Sequence, residues 1–269
     1  MPSPTTPRAI AERAAERGGD IIRAATPGVH GHGHAATDKG LPGDYVTAVD
    51  LASERAIASV LADLDPGVPI LAEESGRSSS LGNRYWVVDP LDGTTNFVHR
   101  FPIVGVSVAL VDDGIPVAGA VHAPFLGETY GAERGAGAWI TKGSAEPQRL
   151  RVSERTAPRG VVGTGFPFRH PDRVARYLRA FQGALERFED LRRPGTASLD
   201  LAWTAAGVFD GFFELSLAPW DVAAGALLVL EAGGRVTDWD GGQDWLSGDI
   251  LAGPGQVHDE LLAIARASA

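Results

Sequence analysis

There is no cysteine among the 269 residues. That excludes disulfides, a thiolate nucleophile and any cysteine-based metal site. No apolar run approaches the length of a membrane span. The first residues, Met1-Pro2-Ser3-Pro4-Thr5-Thr6-Pro7, lack a basic stretch followed by an apolar one, so a secretory leader is not expected and the cytoplasm is the expected location. Positive charge is also scarce: 24 Lys and Arg stand against 34 Asp and Glu, a formal net charge of −10. Such a chain repels nucleic acid and anionic membranes on average. Neither is expected as a partner, unless the nucleic acid arrives as a nucleotide-type substrate. The same charge repels a phosphate ester, unless bound divalent cations reverse the local sign. What remains is ordinary for a globular protein, with 44% hydrophobic and 22% charged residues. The length suits one compact domain or two closely fused halves.

The chain alternates between helical and extended patterns. Thr6-Pro7 opens a helix to about Ala25, and a second covers about Leu51 to Leu64. Residues 26–44 read as a loop rich in Gly and His. Short strands are expected at Val68–Leu71 and Tyr85–Val88. Ile103–Val111, Ile115–His122 and Glu128–Gly131 read as an antiparallel set, with Asp112-Asp113-Gly114 turning between the first two. After Val161–Gly163 come a helix near 171–186, a strand near 188–192, a helix near 197–206 and a strand at Gly211–Leu215. Pro219 opens a helix that Gly233-Gly234 ends. A strand near 249–252 and a helix from about 256 close the chain.

One run dominates: Trp86-Val87-Val88-Asp89-Pro90-Leu91-Asp92-Gly93-Thr94-Thr95-Asn96-Phe97. An apolar strand meets a carboxylate, a second carboxylate follows three residues on, and Gly with two hydroxyl residues opens a helix. Mg²⁺ takes hard oxygen ligands and keeps water and substrate phosphate in its remaining positions. Asp89 and Asp92 are two such ligands, and the Leu91 carbonyl is a third candidate. Backbone N–H groups at Gly93, Thr94 and Thr95 suit anionic oxygen. Phosphatases that use an aspartyl nucleophile place two Asp at i and i+2 after a strand. The i, i+3 spacing with an intervening Pro points instead to metal ligands that activate water.

Other segments are plain singly. Glu73-Glu74-Ser75 follows an apolar stretch, sixteen residues before Asp89, and can reach the same cluster across adjacent strands. Trp220-Asp221 puts a carboxylate in the first turn of an apolar helix, where the dipole favours the ionised form. Gly195-Thr196-Ala197-Ser198 offers N–H groups and hydroxyls to substrate oxygens. Glu214 ends a strand with an acceptor for substrate hydroxyls.

Together these segments resemble the inositol monophosphatase family, the magnesium-dependent, lithium-sensitive phosphatases. The resemblance rests on Leu71 to Ser75, Asp89 to Pro102, Gly127 to Trp139, Gly195 to Ala197 and Trp220 to Gly225. Val46 to Asp50 and the spacing of Lys39 before it extend the likeness over nearly the whole chain. It implies a layered αβαβα sandwich of the inositol monophosphatase and fructose-1,6-bisphosphatase type, in the α/β (α+β) class. An N-terminal α+β half, residues 1–150, would carry most metal ligands. A C-terminal α/β half, residues 151–269, would carry the substrate contacts and one ligand. Glu73, Asp89, the Leu91 carbonyl, Asp92 and Asp221 would bind two or three Mg²⁺ ions. Thr94 and Glu73 would orient the attacking water, with Asp92 in the catalytic group. Gly93, Thr94 and Thr95 would hold the phosphate, and Gly195, Thr196, Ala197 and Glu214 the alcohol. Thr47 and Asp50 would support the outer metal and the loop carrying Lys39. Members are commonly homodimers.

The resemblance implies hydrolysis of a small phosphate monoester by metal-activated water, with inositol 1-phosphate first. Nucleoside monophosphates, sugar or aminocyclitol phosphates and histidinol phosphate are the alternatives. Thr95 stands where relatives acting on histidinol phosphate often carry Lys, which favours the inositol side. A role in binding RNA or the transcription machinery, taken by some bacterial relatives, ranks below these. Two features depart from the family: Ala72 replaces the usual Gly, and His30-Gly31-His32-Gly33-His34 looks like an insertion. That insertion, with Tyr45, is a candidate to shape a different substrate pocket or to bind a transition metal.

Overall fold

A computed structural model describes residues 6–26, 36–38, 45–77 and 81–269. Lys39 and the histidines 30, 32 and 34 lie outside the described residues. Seven α-helices lie within them: α1 (Pro7–Ala24), α2 (Ala48–Leu64), α3 (Thr94–Val98), α4 (Val174–Arg187), α5 (Ala197–Ala205), α6 (Pro219–Glu231) and α7 (Gly255–Ala267). The principal strands are β1 (Ile70–Ala72), β2 (Arg84–Asp92), β3 (Gly105–Asp112), β4 (Ile115–Ala123), β5 (Glu128–Glu133), β6 (Gly137–Lys142), β7 (Val161–Thr164), β8 (Asp190–Arg192), β9 (Gly211–Glu214), β10 (Arg235–Thr237) and β11 (Ile250–Gly253). None of the described helices is long and apolar enough to cross a membrane.

The first sheet has the order β6-β5-β4-β3-β2-β1, extended at its edges by two-residue strands at Gln148–Arg149 and Gly76–Arg77. Its pairs are antiparallel except β1 with β2. The second sheet has the order β8-β7-β9-β11-β10, parallel on the β8-β7-β9 side and antiparallel on the other.

Side-chain alternation explains the layering. Along β3, Val106, Val108 and Leu110 face one way, into a core shared with Ile10, Ala14 and Ile22 of α1 and Ile57 and Leu61 of α2. Ala109 faces the other way, into a core with Leu199 and Leu201 of α5, Val222 and Leu228 of α6, and Phe212 and Ala252 of the second sheet. The outer face of that sheet packs Phe213 and Leu251 against Tyr177 and Ala184 of α4 and Leu261 and Ala265 of α7. Both faces of each sheet are therefore covered, which is why central strands read as continuous apolar runs. The result is the five-layer αβαβα sandwich.

Most elements fall where the pattern places them. Strands β6 and β10 lack a sequence signal: Gly137-Ala138-Trp139 and Arg235-Val236-Thr237 are too short or too Gly-rich to stand out. The largest difference is β2, which extends through Asp89 and Pro90 to Asp92 instead of ending at Val88.

Candidate metal and phosphate site

The extension of β2 explains how its two carboxylates meet. Residues 89 and 92 are an odd number apart, so a regular strand would point them to opposite faces. Asp89 pairs with Ser107, but Asp92 pairs with Gly105, one residue out of register. This bulge changes the parity. Carboxylate oxygens of Asp89, Asp92 and Asp221 then lie within 4.8 Å of one another, a grouping able to hold a metal ion. Gly93 turns the chain away at φ 90° into α3, a left-handed conformation that favours glycine.

Each carboxylate is held from a different direction. Leu91 N–H donates to Asp89 Oδ1 at 3.0 Å. Ser198, at the start of α5, gives Asp92 Oδ2 both its N–H at 2.8 Å and its hydroxyl at 2.6 Å. Ala218 N–H donates to Asp221 Oδ2 at 2.7 Å, so Asp221 closes the first turn of α6 behind Pro219. Glu73 stands outside the mutual 4.8 Å grouping but lines the same cleft. Its N–H donates to Val88 O at 3.1 Å, which locks the turn after β1 against β2.

The electrostatics describe a site built for a cation. Burial, then Glu73, Asp92 and Asp221, pushes the Asp89 carboxyl well above its ordinary range. Burial raises Asp92 to about 6, against the two bonds from Ser198. Asp221 is raised to about 8 by burial and then by Asp92 and Glu73. Buried like charges at this spacing resist ionisation until a cation joins them. All the donors are hard oxygens, the set that Mg²⁺ prefers. The residues present therefore fit a divalent ion.

Beside the carboxylates stands a hydroxyl relay. Thr47 caps α2 and gives both its N–H (2.9 Å) and its hydroxyl (2.5 Å) to Asp50 Oδ2. The Thr94 hydroxyl lies 3.0 Å from Asp50 Oδ1 and 3.1 Å from the Leu91 carbonyl oxygen. Asp50 is buried, and its carboxylate contacts Thr47 and Thr94. The Leu91 carbonyl faces Thr94.

The carboxylates of Glu73, Asp89, Asp92 and Asp221, with Leu91 and Thr94, line a cleft of about 630 Å³. Gly93, Thr94, Thr95, Gly195, Thr196, Ala197 and Glu214 all border it. The Thr196 hydroxyl is spent on the Ile103 carbonyl at 2.9 Å. Asn96 Nδ2 ties the same strip down through Ile103 O at 2.7 Å and Pro194 O at 2.8 Å. Burial and then Asp221 raise Glu214 to about 8, while Arg193 and Arg169 pull it back. Tyr45 lines the cleft as well. Sequence reasoning overlooked Arg193, Phe166, Phe168 and Arg169, which form a further wall. The pair Arg192-Arg193 directly before Pro194-Gly195 was the available signal in a chain short of cations. It also offered Ser198 to substrate, whereas the structure gives Ser198 to Asp92.

Comparison with known proteins agrees with this architecture. The profile of the inositol monophosphatase family matches residues 4–269. A putative Nus factor SuhB of Neisseria meningitidis serogroup B is 41% identical over 258 residues, covering 95% of this chain and 96% of that protein. An inositol-1-monophosphatase of Mesorhizobium japonicum is 42% identical over 224 residues, 82% of each. The crystal structure of the extragenic suppressor protein suhB from Bartonella henselae superposes with a TM-score of 0.86 at 37% identity, covering 96% of this chain and 97% of that one. With the family profile spanning nearly every residue and the sandwich shared, the chain belongs to the inositol monophosphatase family.

Proposed function

We propose that the protein is a Mg²⁺-dependent phosphate monoester hydrolase, an inositol-1-monophosphatase-like enzyme of the cytoplasm that works as a homodimer. The observation that carries this reading is the convergence of Asp89, Asp92 and Asp221 beside the Thr94–Asp50 pair. Asp89, Asp92, Asp221, Glu73 and the Leu91 carbonyl would hold two or three ions. Bound Mg²⁺ supplies positive charge for the phosphoryl oxygens and makes water more acidic.

The chain's own groups do the rest. The Thr94 hydroxyl has one proton and two acceptors in reach, Asp50 Oδ1 and Leu91 O. With that proton engaged, its lone pairs remain to accept a hydrogen bond from attacking water. Thr94 and Glu73 thereby orient the nucleophile, and Asp50, fixed by Thr47, orients Thr94. N–H groups of Gly93, Thr94 and Thr95 face developing charge on the phosphate. Gly195, Thr196, Ala197 and Glu214 border the alcohol half.

Phosphate release from inositol, sugar, nucleoside and histidinol monophosphates, with Mg²⁺ and with chelator, tests the reading. Release from at least one ester that stops on chelation is expected; no release from any would refute it. Relatives named Nus factor SuhB favour a second reading, a contact with the transcription machinery, which salt-sensitive association with RNA polymerase or RNA would reveal.

A further inference from the structure

The reaction above leaves the chemistry of Arg193, on the cleft wall, unused. Its guanidinium carbon lies 5.3 Å from the ring centres of both Phe166 and Phe168. Those rings meet edge to face at 5.5 Å and 76°, so they form a wedge that restricts the guanidinium. A Cβ on Gly195 would come 2.7 Å from Arg193 Nη1, so the head group lies over the strip that borders the alcohol half. Among the described residues Arg193 has no hydrogen-bond or ion-pair partner. Five N–H donors are thus held in a fixed plane along the cleft, and none is answered among the described residues.

We propose that Arg193, wedged against Phe166 and Phe168, is a specificity-determining residue that binds a second oxyanion, phosphate or carboxylate, on the alcohol half of the substrate. A planar guanidinium matches the paired oxygens of either group. The neighbouring charges agree. Asp92, Asp200 and Glu214 all feel Arg193, and Arg169 acts on Glu214 and Asp221. In a chain of net charge −10, two cations are thereby concentrated on one wall of one cleft. A neutral polyol offers them hydroxyl oxygens but no paired, charged ones. The inference rests on the hydrolase reading and adds to it a preference for esters whose alcohol half is anionic.

Matched substrates test it. 2-Phosphoglycerate and glycerol 2-phosphate carry the same ester and differ by a carboxylate in place of a hydroxymethyl group. Fructose 1,6-bisphosphate and fructose 1-phosphate differ by a second phosphate. The expected result is a kcat/KM at least about tenfold higher for the charged member of one pair, carried mainly by KM. The pair that responds tells carboxylate from phosphate. Arg193→Gln should erase the preference and Arg193→Lys retain part of it, because Lys keeps the charge and loses the fork. Equal kcat/KM within both wild-type pairs would overturn the inference while leaving the hydrolase reading intact, as would a preference that survives Arg193→Gln. The wild-type ratios decide even if a variant does not fold. No Mg²⁺-dependent release from any of the four esters would overturn this inference, and the hydrolase reading falls with it only where inositol, nucleoside and histidinol monophosphates also release no phosphate.

Discussion

Asp92 shows how much of this site depends on groups that never touch substrate. Its Oδ2 accepts two bonds from Ser198, which orient the carboxylate and favour its charged form. Ser198→Ala removes the hydroxyl and keeps the N–H. Loss of such an outer partner weakens metal binding by about 10–100-fold, so the Mg²⁺ concentration for half-maximal phosphate release should rise by that order with the fold retained. Gly195 makes a different point. Its φ is +87° and the Arg193 head group occupies the place of a side chain. Gly195→Ala should lower unfolding free energy by about 1–2 kcal/mol from the backbone alone. Urea denaturation would read this, and an unchanged midpoint would contradict it.

At the scale of elements, the site depends on junctions. Helix α2 steadies the turn that carries Glu73: the buried Glu54 accepts from Glu74 N–H at 3.0 Å and Ser75 N–H at 3.4 Å. Glu54→Ala removes both of these bonds and keeps the Glu73–Val88 bond. Several-fold weaker Mg²⁺ dependence should follow, together with faster amide exchange confined to residues 73–75; exchange spread through α2 would show a general loss of packing instead. Junctions are also where sequence and structure part. Periodicity and local chemistry made α1, α6 and the β3-β4 hairpin legible, as at Thr6-Pro7, Pro219 and Asp113-Gly114, whereas α2 starts at Ala48, before the expected Leu51, because Thr47 and Asp50 cap it. Asp89 and Asp92 were legible from spacing and carboxylate type, and Asp221 joined them through the family resemblance. The bulge that brings Asp89 and Asp92 to one side was not, since it depends on where β3 pairs. The Ser198–Asp92 bonds and the Arg193 wedge were not either, because they join residues distant in the chain.

At the scale of the molecule, charge and burial set the response to pH and metal. Burial lowers His122 to about 4, with Arg23 adding to the effect and Asp20 opposing it. Its Nδ1 lies 2.9 Å from Thr129 Oγ1, and its buried Nε2 has no partner among the described residues. Burial lowers His258 to about 4 in the same way. Between about pH 6.5 and 4 these two imidazoles bind protons in the unfolded chain that the native state refuses, so their contribution to stability is full above that window and is lost as pH drops through it, while the raised Asp221 and Glu214 carboxyls act in the opposite sense. His122 alone should cost about 1–2 kcal/mol between pH 7 and pH 5. Urea unfolding of the wild type and of His122→Asn at the two pH values isolates it: the wild type should lose that much more, or gain that much less, than the variant, and an identical pH dependence would contradict it. On the proposed reading Mg²⁺ should raise the melting temperature, because it would bind the native carboxylate cluster and not the unfolded chain.

The most direct test of the central claim combines binding and turnover. Calorimetric titration of Mg²⁺ and phosphate release from inositol 1-phosphate and 2-phosphoglycerate are measured on the wild-type protein and on Asp92→Asn. The account predicts Mg²⁺ binding and Mg²⁺-dependent release for the wild type, and a folded variant that has lost both. An Asp92→Asn variant that binds Mg²⁺ and releases phosphate as the wild type does would contradict it.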